Sequence, residues 1–143
     1  MIVNTAYIYM GSGGAVNPNL WQDGVSNYPV VFTGGCSLSS SGLYFTNVEG
    51  SATFSELPLK DFNSLTLSGI LNSDMRPLQA NISIEFYSRD NELIGSTTAT
   101  VSTYGDPVTV GIPSSAKIKN AKIKIRKDFM YGVTTTVYSA VLS

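Results

Sequence analysis

The chain has 143 residues, 43% of them hydrophobic and 13% charged, with a net charge of −1, one cysteine and no histidine. That length suits one domain able to bury roughly 68–70% of the surface its unfolded form exposes, so neither disulfides nor a metal is needed for stability. Without histidine there is no Ser-His-Asp or Cys-His arrangement and no His ligand for zinc, and the lone Cys36 excludes an intrachain disulfide, a CxxC redox pair and a Cys-based zinc site.

Charged residues average about 25% of globular chains, so a surface with half that share is dressed largely with Ser, Thr, Asn and Gly. Such a coat suits an assembled or extracellular β-protein. The N-terminus lacks a cationic segment ahead of an apolar run, and Gly and Pro interrupt every apolar stretch. Neither a secretory signal nor a transmembrane helix is therefore expected.

Residues 1–35 hold six Gly, two Pro and five aromatics (Tyr7, Tyr9, Trp21, Tyr28, Phe32), no Lys or Arg, and a single acid, Asp23. The alternation Ala6-Tyr7-Ile8-Tyr9 gives way to turn signals at Gly11-Ser12-Gly13-Gly14, Asn17-Pro18-Asn19 and Asp23-Gly24. This reads as an extended N-terminal arm. Uncharged aromatic segments do not have the charge-rich composition of free chain, so the arm's aromatics are expected to pack either on the body of the same subunit or on a neighbouring one, with Tyr7, Tyr9 and Trp21 as the assembly anchor. The glycine cluster lacks the Lys-Ser/Thr and following helix of a phosphate-cradling loop and reads as a hinge.

Residues 36–143 read as a sandwich domain, with eight short strands expected over 43–48, 52–57, 65–71, 82–87, 95–103, 108–112, 117–125 and 134–142. In Ile82-Ser83-Ile84-Glu85-Phe86 the apolar residues point one way and Ser83 and Glu85 the other, as in a sheet with one wet face. No stretch carries a 3.6-residue apolar period, although 57–62 has room for one helical turn. The expected fold is all-β, a two-sheet antiparallel β-sandwich (jelly roll) with the arm in front. A barrel satisfies the same pattern.

Charge is unevenly placed. Residues 117–128 hold six cations (Lys117, Lys119, Lys122, Lys124, Arg126, Lys127) and one acid, whereas the rest of the chain holds three cations and nine acids. One reading is an edge strand whose lysines block edge-to-edge pairing. The other is a contact for a polyanion such as teichoic acid, nucleic acid or an acidic subunit surface. At Asn120-Ala121 the lysines shift from odd to even positions, which suggests a bulge favouring the edge reading.

Turn chemistry accounts for the acids at Asp23, Asp74 and Asp90-Asn91-Glu92, none of which has EF-hand spacing. Pairs such as Glu56 and Asp61 have no spacing specific to glycoside hydrolysis. No metal, cofactor or catalytic residue is expected. Exposed aromatics on a β-sandwich can stack on sugar rings, and Tyr87, opposite the Ile82/Ile84/Phe86 face, and Tyr104, beside Gly105, are the candidates. Trp21, Tyr44 and Tyr131 are further aromatics to weigh.

The opening Val3-Asn4-Thr5-Ala6-Tyr7-Ile8-Tyr9, with Asn19-Leu20-Trp21-Gln22-Asp23-Gly24, resembles the N-terminal segments of small structural proteins of phages and prophages. The run containing Phe62-Asn63-Ser64-Leu65-Thr66-Leu67-Ser68-Gly69 and Ala121-Lys122-Ile123-Lys124-Ile125 resembles jelly-roll modules of the galactose- or carbohydrate-binding type. Together these resemblances imply a non-enzymatic virion accessory protein of the head or tail, assembled in the host cytoplasm. Its implied partners are other virion proteins or further copies of itself, and host-surface polysaccharide, with no membrane partner and nucleic acid disfavoured. The alternative is a free-standing carbohydrate-binding module acting beside an enzyme.

Overall fold

A computed structural model describes residues 2–4, 16–72, 80–101 and 106–143. In chain order the strands are β1 (Ile2–Asn4), β2 (Trp21–Gln22), β3 (Val25–Ser26), β4 (Val30–Ser39), β5 (Gly42–Leu57), β6 (Ser64–Ser68), β7 (Leu71–Asn72), β8 (Ala80–Tyr87), β9 (Leu93–Val101), β10 (Val108–Gly111), β11 (Ala121–Lys127), β12 (Thr135–Val137) and β13 (Ser139–Leu142). Single 3-10 turns at Leu59–Asp61 and Ser114–Ala116 are the helical pieces among the described residues, the first inside the expected 57–62 segment.

Two antiparallel sheets form the body. The larger runs β1-β4-β5-β11-β8-β9, with β12 joining β5 to β7, and the smaller runs β10-β6-β13. Their facing sides carry Phe32, Phe54, Ile84 and Ile123 from the first and Leu67 and Leu142 from the second, all buried in one cluster. Alternation is the cause: in β11 the odd positions are buried and the even ones partly exposed. The chain is thus an antiparallel β-sandwich of jelly-roll type.

The segments expected at 43–48 and 52–57 are one strand of 16 residues, β5. Its first half pairs with β12 through Leu43↔Val137 and Phe45↔Thr135, and its second half with β11 through Phe54↔Ile123 and Ala52↔Ile125. β4 follows both halves, with its register slipping between Gly34 and Cys36. Gly34 sits at φ +60° and a Cβ there would come 2.0 Å from the Glu49 carbonyl oxygen, so the crease requires glycine.

Two expectations are corrected. A boundary after residue 35 cuts through β4, and Leu20, Trp21, Val30 and Phe32 belong to the core cluster, so residues 16–35 are part of the sandwich. They go inside because β4 is the long partner of β5 and its alternate apolar side chains have nowhere else to pack. The basic strand is not an edge strand: β11 lies between β5 and β8, with both of its backbone edges paired. The expected irregularity at its start is present, with Asn120 at φ 45° and a register shift between Ala121 and Ile123 against β5.

Candidate functional site

The side of the large sheet turned away from the small sheet is polar. Across the strands, Thr53 on β5 opposes Lys124 on β11, which opposes Glu85 on β8, and Ser51, Arg126 and Ser83 form the next row. Lys122 opposes Tyr87. Directly opposed residues in an antiparallel pair share a face, so Lys122, Lys124, Arg126, Glu85 and Tyr87 all point the same way. Tyr87 and the even-numbered part of the basic segment are thus brought together.

A depression of about 230 Å³ on this face is lined by Thr53, Tyr87, Asn91, Lys122 and Lys124. Its rim is built by the β8–β9 turn, where the Ser88 N–H donates to the Glu92 carbonyl at 2.9 Å and the Asn91 N–H to the Ser88 carbonyl at 3.0 Å. Asn91 takes a left-handed backbone (φ 66°), which asparagine tolerates better than most residues. Its Oδ1 accepts from the Lys122 ammonium at 2.7 Å.

Glu85 orients the aromatic. Its Oε1 accepts from the Tyr87 hydroxyl at 2.8 Å, while its Oε2 faces the Arg126 guanidinium at 3.9 Å. Burial, and then the neighbouring Glu85 carboxylate, push the Tyr87 phenol above its ordinary value, so it remains a neutral donor at physiological pH. Arg126 is shared between Glu85 and a contact with Asp128. The result is a fixed aromatic ring beside two ammonium groups, with hydroxyl and amide groups at the margin. That combination can stack on one face of a sugar and hydrogen-bond its substituents.

The other expected residues divide. Lys117 precedes β11 and donates to Asn63 Oδ1 at 2.6 Å, and Lys119 is exposed in the turn before the strand. Lys127 is corrected from surface to interior: it is 1% exposed, and its ammonium donates to the carbonyls of Thr46 (3.1 Å), Val133 (3.2 Å) and Asp128 (3.4 Å). Trp21 is corrected from anchor to core, its ring 5.8 Å from that of Phe54 and its Nε1–H donating to the Tyr138 carbonyl at 2.9 Å. Tyr7, Tyr9 and Tyr104 lie outside the described residues. Cys36 is buried, and burial pushes its thiol far above the ordinary range, so it is chemically quiet.

A second aromatic feature is Phe129 (62% exposed) with Tyr131 (85%), on the loop between β11 and β12. Lys127 holds this loop from beneath, and the Met130 N–H donates to the Asn47 carbonyl at 2.9 Å. Phe129 carried no sequence signal, because an aromatic after a strand is core as often as surface.

The sequence matches no family profile and no curated protein. Among solved structures, the chain is similar to a non-crystalline cellulose specific carbohydrate-binding module of family 28, at 12% identity and TM-score 0.51, covering 91% of this chain and 92% of that one. A family 11 carbohydrate-binding module from Clostridium thermocellum aligns at 14% identity and TM-score 0.46, covering 91% and 98%. An α-L-arabinofuranosidase aligns at 9% identity and TM-score 0.41, covering 70% of this chain, which spans only 19% of that enzyme. The first likeness defines the class by fold, a jelly-roll β-sandwich of the architecture found in carbohydrate-binding modules.

Proposed function

We propose that this protein is a non-catalytic glycan-binding β-sandwich whose binding surface is the outer face of the large sheet around Tyr87. The observation that carries this reading is the depression in which Tyr87, held by Glu85, lies beside Lys122, Lys124, Thr53 and Asn91. The likeness to a cellulose-binding module supports it through shared fold alone. Isothermal titration of the full chain against a panel of polysaccharides tests it. Tyr87→Ala should weaken binding by about tenfold, in keeping with the loss of one stacking ring, while Tyr131→Ala leaves it unchanged. Binding to none of the panel, or equal binding by Tyr87→Ala, would overturn the proposal.

A second reading adds a virion role, in which the N-terminal residues dock the sandwich onto a larger particle. It is favoured by β1, a three-residue strand paired with β4 at the rim of the large sheet, a position that a strand of a neighbouring subunit can also occupy. Removing residues 2–4 should then abolish incorporation into particles without unfolding the domain, and normal incorporation would reject this role.

A further inference from the structure

We infer that the glycan taken by this face is an acidic one, a polysaccharide carrying carboxylate, phosphate or sulfate groups, with Lys122 and Lys124 as the residues that select it. This rests on the glycan-binding reading of the Tyr87 face and names the ligand class.

The argument is a charge balance at the depression. Both oxygens of Glu85 are engaged, Oε1 by the Tyr87 hydroxyl and Oε2 toward Arg126, and Arg126 also contacts Asp128, so these three groups carry a net −1 and have no ion pair with either lysine. Lys122 and Lys124 remain. Lys122 donates to Asn91, a neutral amide, and Lys124 has neither an ion pair nor a hydrogen bond among the described residues. Glu56, in the bulge opposite Lys122, is exposed and forms no ion pair with it. Two residues along one strand stand roughly 6.5–7 Å apart, so the depression carries two adjacent ammonium groups without an ion pair beside an aromatic ring, and the face is net positive by one charge.

A neutral sugar seated there would strip water from both ammonium groups and return only hydroxyl contacts. An anionic substituent returns charge-assisted hydrogen bonds, which are about twice as strong as neutral ones. Lysine ammonium groups act as compact point charges, without the fixed fork by which arginine reads a planar partner, and so accept any of the three anion types. Nucleic acid fits less well. The depression offers one ring, where a single strand would stack several bases.

The test titrates the full chain with polygalacturonate, a phosphate-bearing teichoic acid, a neutral β-glucan and a single-stranded oligonucleotide. Acidic polysaccharide should bind at least about tenfold more tightly than neutral glucan, and the preference should collapse as ionic strength rises from about 0.05 to about 0.5 M. Lys124→Gln and Lys122→Gln should each weaken acidic binding about five- to tenfold, whereas Lys60→Gln, which removes the same charge outside the depression, should not. Whether polygalacturonate or teichoic acid binds tells carboxylate from phosphate as the anion. Neutral glucan bound through Tyr87, with no effect of either lysine substitution, would overturn the acidic assignment and leave the glycan reading standing. Binding of the oligonucleotide alone, or of nothing, would overturn both.

Discussion

Lys127 ends a strand whose inward positions are otherwise Ala121, Ile123 and Ile125, and it goes inward because its position in the alternation requires it. What makes this tolerable is the set of three backbone carbonyls to which its ammonium donates. Lys127→Met should therefore cost about 2–4 kcal/mol of stability at neutral pH, read as a lower urea midpoint, because it removes a charged donor from three backbone carbonyls. Burial holds the ammonium below its ordinary value of 10.5, with Asp128 pulling the other way. The unfolded chain then binds this proton more strongly, so the penalty of burying the charge is present below the lowered value and is relieved as pH rises through it toward 10.5. Urea midpoints across that alkaline window should climb more steeply in the native protein than in Lys127→Met, and parallel curves would contradict the assignment.

Trp21 makes a related point with opposite chemistry. Its ring packs on Phe54 and its indole N–H satisfies the Tyr138 carbonyl, so Trp21→Ala should cost about 3–5 kcal/mol of stability. Any glycan affinity of the molecules that remain folded should be unchanged. An affinity loss without a stability loss would return Trp21 to the surface role expected from sequence.

At the scale of elements, the crease in β4 and β5 decides the architecture. One long strand serves two pairings because Gly34 and Gly50 let the backbones approach where side chains would collide, the Gly50 position leaving a Cβ only 2.9 Å from the Cys36 nitrogen. Gly34→Ala combines a left-handed residue with a backbone clash and should cost about 3 kcal/mol or more. Gly132 has a similar φ of +69° with nothing within 4 Å, so Gly132→Ala should cost about 1 kcal/mol. Chemical denaturation of the pair separates the two causes, and equal losses would show that conformation alone matters at Gly34. No local pattern marks Gly34 for this role, since the residue that faces it, Gly50, meets it only across the β4–β5 register.

For the molecule as a whole, the first described core residues after β1 begin at Leu20, well ahead of the boundary that composition suggested. A chain starting at residue 16 should fold cooperatively, whereas one starting at residue 36 should not, because it loses Leu20, Trp21, Val30 and Phe32 from the core and half of β4. Circular dichroism and thermal melts of the two fragments decide this.

The all-β class was legible in the chain because alternation is local: Ile82, Ile84 and Phe86 declare one face of a strand whatever it pairs with, and all three are buried. Tyr87 was legible for the same reason, as the next residue on the opposite face. The absence of histidine likewise narrows the chemistry without any structure. Partnership was not legible. Whether β11 lies at an edge or in the middle depends on β5 and β8, strands about forty or more residues away, and no local pattern encodes that neighbourhood. The charge that opened as a run of six cations therefore changed meaning on folding: one is buried, one is shared with two acids, two lie outside the strand, and Lys122 and Lys124 alone are left beside Tyr87. Sequence determined the charges and their alternation, and tertiary pairing determined which of them face an unoccupied surface, because an ionic partner is chosen by distance in space and not along the chain.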